Sequence, residues 1–337
     1  MKISVVMPVY NGEEHLAESI DSILSQTYGD FEFLILNEFG SSQEATNILR
    51  EYERKDLRIR LIQNETKLGL AESLNKGFRL AEGEYIARMD ADDRSASTRF
   101  EKEAAYLDAH PEISVCGSWQ EHFGRYTDFH RPAEEDDDLR AALLFKCDVC
   151  HSTVMLRKSD FLDNNLFYDP NIAAEDYDLW LRAAFEYGLR FHTIQEVLGY
   201  YRLSEESISE AKLERLQREG IQTAKRQLGR LGIHVSRNDE ILLATWNMTA
   251  FGGNDNLLRR EERLFASIVK HNRRCGYFDE KSLHKAIKMR KEQIMNAYHQ
   301  NVPQTRKEKI KRLLMGYPIY YSAARNIFHT GKRLLHR

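Results

Sequence analysis

Two spacings of apolar residues alternate through the first half of the chain. Short runs rich in β-branched and aromatic residues, "ISVVMPVY" (3–10), "FEFLIL" (31–36), "IRLIQ" (59–63) and "EYIARMD" (84–90), read as strands buried on both faces. Between them the period lengthens to that of a helix. Leu16, Ile20, Ile23 and Leu24 follow Asn11, which stands where an N-cap belongs, with Glu14 three residues on in the capping-box position. "LAESLNKGFRLAEG" (70–83) repeats the pattern and ends at Gly83, a residue suited to a C-cap. Strands alternating with helices imply right-handed crossovers, a mostly parallel central sheet flanked by helices, and ligands bound beyond the carboxyl ends of the strands. Three polar stretches fall at those ends: "PVYNGEE" (8–14), "NEFGSS" (37–42) and "DADD" (90–93).

The second quarter is more mixed. A helix is expected over about 98–110 and a strand at "ISVCGSW" (113–119). The acidic stretch Glu134 to Asp138 reads as a solvated turn capping a helix "LRAALLFKC" (139–147). A strand "STVMLRK" (152–158), a helix "AAEDYDLWLRAAFEYG" (173–188) and a strand "FHTIQEVLGYYR" (191–202) follow. Beyond about Ser204 the pattern is helical, charged and short of strands. The chain therefore divides into residues 1–205, with halves of about 1–115 and 116–205, and a helical region 206–337.

Composition narrows the picture. The 337 residues carry a net charge of −3, which gives no overall nucleic-acid signature. No apolar run approaches the roughly 20 residues of a spanning helix. The apolar start runs directly into Asn11, Gly12, Glu13 and Glu14, unlike a signal peptide, so a cytoplasmic protein is expected. Four cysteines are too few for a disulfide scaffold. "CDVCH" (147–151) matches a haem-attachment pattern, but that chemistry normally follows export, and two Cys with one His fall one ligand short of a structural zinc site. Reduced, partly buried thiols are the expectation.

Neither G-x-G-x-x-G nor G-x-x-x-x-G-K-[ST] occurs, which disfavours dinucleotide binding and P-loop phosphoryl transfer. Asp90, Asp92 and Asp93 crowd one strand end, and such carboxylates call for a metal ion, a basic side chain or solvent among them. An Asp-x-Asp offers oxygen ligands to a hard divalent ion that can bridge a diphosphate. Glu175 and Asp176 open a helix. There they favour its dipole, and one could also act as a general base.

In order, "SVVMPVYNGEEHLAESIDSILSQTYGDFEFLIL", "NETKLGLAESLNKGFRLAEGEYIARMDADD", "HSTVMLRK" and "AEDYDLWLRAAFEYG" resemble the successive motifs of family 2 glycosyltransferases, collinear over about residues 1–205. The resemblance implies the GT-A fold and an inverting transfer of a sugar from a nucleotide diphosphate donor, a UDP-sugar first. It places Mn²⁺ or Mg²⁺ on Asp90 and Asp92, with Ala91 between them in the donor site, and assigns Asp176 as base with Glu175 beside it. Pro8, Tyr10 and Asn11 would hold the nucleobase, with Tyr10 offering a stacking face. Lys67 and Arg88 are candidates for the phosphates and sugar, and His151, Trp180 and Arg202 for the acceptor side.

The chain departs from the family at Asn37 and Glu38, which replace an Asp pair. An Asn carbonyl or a Glu carboxylate could still accept from a uracil imide. Leu203 and Ser204 stand where some relatives supply a metal-binding His, leaving water to complete the shell. The end of the chain, 306–337, interleaves nine Lys and Arg with aliphatic and aromatic residues against the single acid Glu308. That pattern suits either an anionic membrane surface or a solvated helix. Surface attachment would fit an acceptor that is a glycan or lipid-linked oligosaccharide of the cell surface, met at the inner face of the membrane. Two other readings compete. A sugar-phosphate nucleotidyltransferase would need a glycine-rich basic loop where "PVYNGEE" is acidic. A non-catalytic glycan-assembly subunit rests only on Asn37 and Glu38.

Overall fold

The computed structural model describes residues 1–203, 210–243 and 248–300. The expected boundary near residue 205 and the basic end of the chain lie outside them. Two compact units emerge, residues 1–139 with 147–208, and residues 140–146 with 209–337.

In the first unit the strands are β1 (Ile3–Val9), β2 (Phe31–Asn37), β3 (Ile59–Gln63), β4 (Tyr85–Arg88), β5 (Arg94–Ser95), β6 (Val115–Gly124), β7 (Asp128–His130), β8 (Met155–Arg157) and β9 (Phe191–Leu203). The helices are α1 (Glu13–Leu24), α2 (Gln43–Lys55), α3 (Leu70–Leu80), α4 (Arg99–Ala109), α5 (Asp136–Ala142), whose last residues belong to the second unit, α6 (Lys158–Leu162) and α7 (Glu175–Phe185). One sheet runs β3-β2-β1-β4-β8-β6-β9-β5, with β7 also on β6. The first four strands are parallel, as their unbroken apolar runs require. Past β4 the character changes. β8 is antiparallel to β4 and β6, β5 is antiparallel to β9, and only β6 and β9 pair in parallel.

Ile3, Val5, Met7 and Val9 of β1 bury against Leu16, Ile20 and Ile23 of α1 and Phe100 of α4. Phe31 and Phe100 meet edge to face with ring centroids 5.5 Å apart. On the opposite face α3 lies so close to β1 that a Cβ on Gly77 would stand 2.4 Å from a Val6 methyl carbon.

Local details correct three expectations. Gly12, in the left-handed conformation, caps α1, and no side chain closes the cap. Asn11 also has positive φ, and its Oδ1 accepts from the Ser42 amide at 3.0 Å. α3 ends at Leu80 with Ala81 as C-cap, and Gly83 is required instead by backbone: a Cβ there would lie 2.7 Å from the Ile3 carbonyl carbon. The acidic run is not a solvated turn. Asp136, Asp137 and Asp138 form the first turn of α5, and buried Asp136 accepts from the Phe191 amide at 2.9 Å.

The second unit contains α8 (Glu210–Arg230), α9 (Asp255–Cys275) and α10 (Glu280–Gln300). Asn254 caps α9 through its Oδ1 and the Leu257 amide at 3.2 Å, and Gly276 in the left-handed conformation ends it. Its core includes Leu257, Phe265, Ile268, Leu283, Ile287 and Ile294, with Phe145 edge-on to Phe265 at 5.9 Å. No helix among the described residues is long and apolar enough to cross a membrane.

Candidate active site

The change of strand direction beside β4 builds the site. Because β8 runs antiparallel to β4, the short 3-10 turn before it, His151–Thr153, falls beside the carboxyl end of β4, and the Arg88 amide donates to the Val154 carbonyl at 3.0 Å. Arg88 is the last residue of β4 and only 2% exposed. Its guanidinium rests directly on the Asp90 carboxylate. Burial works against the charged guanidinium, but Asp90 more than restores it, and the group is held above its ordinary range. Of the three partners the acid cluster called for, the protein supplies a basic side chain.

The other acids differ. Asp92 is half-buried, and burial followed by the charge of Asp90 pushes its carboxyl up. Asp93 is buried and spent on the fold, because its Oδ1 accepts from the Arg202 amide at 2.8 Å. Ala91 leans on the core. The Ser19 hydroxyl fixes the Asp90 carbonyl at 2.8 Å.

Glu175 and Asp176 occupy the first turn of α7. Asp176 accepts from the Tyr177 amide at 2.7 Å and from the Cys147 thiol at 3.7 Å. Burial raises its pKa, with the Tyr177 amide and Arg88 opposing. Burial and then the adjacent Asp176 push Glu175 up to about 7. The charge of Arg88 thus acts on Asp92, Glu175 and Asp176, and it also depresses His151, whose pKa is driven well below 6.5 first by burial. The Asp90–Asp92 loop, His151 and the start of α7 therefore share one space around one guanidinium.

Tyr10 is 53% exposed, and the exposed Lys67 places its ammonium 4.9 Å from the ring centroid. Pro8 lies within β1, opposite Leu36 of β2.

Several expected donor and acceptor residues are used internally. Asn37 is 0% exposed and its Nδ2 donates to Thr46 Oγ1 at 3.1 Å and Gln63 Oε1 at 2.8 Å, while its buried Oδ1, the expected acceptor, has no hydrogen-bond partner among the described residues. Glu38 accepts from the amides of Leu68 (3.0 Å), Gly69 (2.6 Å) and Phe39 (2.8 Å), holding the loop that carries Lys67. Burial opposes its charge, yet those amides leave the carboxyl below its usual range. Trp180 is 0% exposed, edge-on to His151 and Phe191, and offers no face to an acceptor. Arg202 binds the Asp92 carbonyl at 2.9 Å through Nε, pairs with Glu18 and lies over Phe123 at 4.5 Å, which fastens β9 to the acidic loop. His151 holds the Tyr168 hydroxyl at 2.8 Å through Nε2 and remains half-exposed at the site.

Two residues escape a sequence reading. Tyr201 is 40% exposed, and its hydroxyl is pushed up to about 12 by burial and then by Asp90, Asp93 and Asp92. His122, its register partner across β6 and β9, lies 5.5 Å from it, ring to ring. Their neighbourhood to Asp90 arises only from the pairing of β6 with β9, although "GYYR" stood beside Arg202 as a signal. The "CDVCH" thiols are free and line the same region: Cys147 meets Asp176, and Cys150 lies 3.4 Å from His130 Nδ1, whose Nε2 is 3.0 Å from Asp148.

Known proteins resemble this chain in sequence and in fold. The family described as "Glycosyl transferase family 2" matches residues 4–166. The putative glycosyltransferase EpsE of Bacillus subtilis is 39% identical over 61% of this chain and 74% of its own length. The Escherichia coli UDP-Glc:alpha-D-GlcNAc-diphosphoundecaprenol beta-1,3-glucosyltransferase WfgD is 29% identical over 64% and 83%. Among solved structures, Staphylococcus aureus TarS with UDP-GlcNAc superposes with a TM-score of 0.58 at 18% identity, over 88% of this chain and 89% of that one. The mannosyltransferase PcManGT of Pyrobaculum calidifontis, with GDP-Man and Mn²⁺, gives 0.55 at 15%, over 96% and 86%. The fold is therefore of the GT-A type, and the chain belongs to the family 2 glycosyltransferases.

Proposed function

We propose that this glycosyltransferase moves a hexose or N-acetylhexosamine, with inversion, from a UDP-sugar to a hydroxyl of a growing, lipid-linked cell-surface glycan. The observation that carries the reading is the meeting of Asp90 and Asp92 with Glu175 and Asp176 around Arg88. Asp90 and Asp92 suit a divalent ion as oxygen donors two residues apart on one loop, with the Asp90 charge felt at Asp92 after burial, and water would supply the rest of the shell. Bound there, Mn²⁺ or Mg²⁺ would neutralise charge developing on the diphosphate leaving group.

The remaining work falls to the chain's own groups. Asp176, fixed by the Tyr177 amide, removes the proton from the acceptor hydroxyl as that oxygen attacks opposite the diphosphate. Glu175, held at about 7 by burial and the Asp176 charge, stands beside it and ionises after it. Arg88 orients Asp90 from within the sheet, so its role shifts from phosphate contact to positioning. Tyr10 and Lys67 form the base-side surface. Tyr201 and His122 form a wall suited to an acceptor sugar ring. Asn37 and Glu38 hold the sheet edge and the Lys67 loop, so their departure from the family pattern lends little to a non-catalytic reading. UDP and diphosphoundecaprenol, named in the relatives' own descriptions, support the donor and acceptor classes.

Calorimetric titration with UDP, GDP, ADP and dTDP, with and without Mn²⁺, tests the proposal. Metal-dependent binding of UDP above the others is expected. Preference for GDP would redirect the donor, and no binding to any of the four would overturn the transferase reading.

A further inference from the structure

We infer that the outward face of α10 is a docking surface for anionic lipid, a part of the described fold that engages the membrane in addition to the basic end of the chain. Leu283, Ala286, Ile287, Arg290, Ile294 and Ala297 turn one side of α10 into the unit's interior. The opposite side carries Lys281, Lys285 and Lys288, all exposed, at spacings of four and three residues that place them along one side of a helix, and exposed Lys291 continues the row at its border, with its ammonium 5.6 Å from the Phe265 ring centroid. Glu280, at the first turn, is engaged by Arg273 at 2.8 Å, which leaves Glu292 as the one other acid of the helix.

Apolar groups stand among these charges. Met295 is 41% exposed and Met289 44%, and Met289 borders a shallow notch with Ala142, Phe145 and Ala286. Ammonium groups beside exposed thioethers match the two layers of a bilayer surface, phosphate above and acyl chain below. A nucleic-acid backbone would engage the lysines alone, whereas the exposed thioethers beside them favour a surface with an apolar layer.

Charge distribution points the same way. Nine of the 37 residues after Gln300 are Lys or Arg against one acid, in a chain whose net charge is −3, so residues 1–300 are acidic overall. That acidity lies in the first unit: residues 209–300 carry 18 Lys and Arg against 11 Asp and Glu, so the basic face of α10 belongs to a basic stretch that precedes the basic end of the sequence. The inference rests on the proposed lipid-linked acceptor only for its purpose, because docking is measured without sugar transfer.

The test is co-sedimentation of the full chain with vesicles of phosphatidylcholine alone and of phosphatidylcholine with phosphatidylglycerol. Comparison is with the full chain carrying K281E, K285E, K288E and K291E, and with M289S plus M295S. Wild type should partition onto the anionic vesicles alone. Reversing four charges should reduce that partitioning ~100-fold or more, and the two serines severalfold. Circular dichroism checks folding, and should the reversed chain not fold, the four Lys→Gln changes decide. Equal binding to neutral vesicles, wild-type partitioning of the charge variants, or release of the protein into added RNA would each overturn the inference. UDP binding measured on the same samples separates its failure from failure of the donor site.

Discussion

At the end of β4, Asp90, Asp92 and Asp93 crowd into a short loop with a guanidinium pressed against them. At the start of α7, Glu175 and Asp176 stand side by side with no ion pair to either among the described residues. Both sites concentrate negative charge at the mouth of the same sheet, yet under the proposed function they serve opposite tasks. In the loop, Arg88 and the fastening by Arg202 keep carboxylates together in a fixed arrangement, ready to share a cation. On the helix, burial without a paired cation raises both carboxyls, which is what a base needs in order to hold a proton it has removed. Compensation, more than the number of acids, separates the two clusters, and the proposed division into metal binding and proton transfer rests on it.

The largest expected effect breaks the comparison on the helix side. Asp176→Asn should lower turnover by about 10³-fold, within the range for a positioned base, while nucleotide diphosphate binding in the calorimeter stays near wild type. Asp92→Ala should do the reverse first, abolishing the metal-dependent increment in binding. If both variants lose binding equally, the two sites act as one and the division of labour is wrong.

Next in size is Arg88→Met, which keeps the stem's packing and deletes the charge. Removing one partner of a buried pair costs about 3–5 kcal/mol, and denaturant unfolding should show a loss at the lower end because Asp90 retains access to solvent. A stability unchanged from wild type would mean that the loop acids do not need the guanidinium.

A smaller effect tests the coupling of the helix pair. The base must be ionised, so kcat/KM should rise with pH through the apparent pKa of the pair, placed above the ordinary carboxylate range by burial and extending toward the value of about 7 for Glu175. Asp176 ionises first and its charge is part of what raises Glu175, so Glu175→Gln should leave the rising limb where Asp176 sets it and remove any further inflection near 7. A limb displaced to lower pH would show instead that Glu175 carries its charge first and tunes the base.

How far these sites could be read in advance depends on whether their parts are local. The strands of the parallel half announce themselves because burial on both faces leaves unbroken apolar runs, and Asp90, Asp92, Glu175 and Asp176 could be placed because each motif is continuous in sequence. The roles of Arg88 and Arg202 were less accessible. Either could have been a phosphate or acceptor contact, and only the antiparallel entry of β8 and the pairing of β9 turn both toward the acidic loop. Trp180 was illegible for a simpler reason: an amphipathic residue next to a motif says nothing about which side of its helix faces the core.

The smallest effect concerns Lys67, beside the surface proposed for the donor base. Lys67 touches Tyr10 and belongs to a loop held by Glu38, so its ammonium is placed without being paired to an acid among the described residues. An exposed cation over an aromatic face contributes about 0.5–1 kcal/mol. Lys67→Ala should therefore weaken UDP binding by about threefold to fivefold, with unfolding unchanged. A much larger loss, steeply dependent on salt, would mean that Lys67 leaves Tyr10 and meets the diphosphate itself. The donor phosphates would then be held from the base side as well as from Asp90 and Asp92, and the loop acids would share with Lys67 the task that now sets them apart from α7.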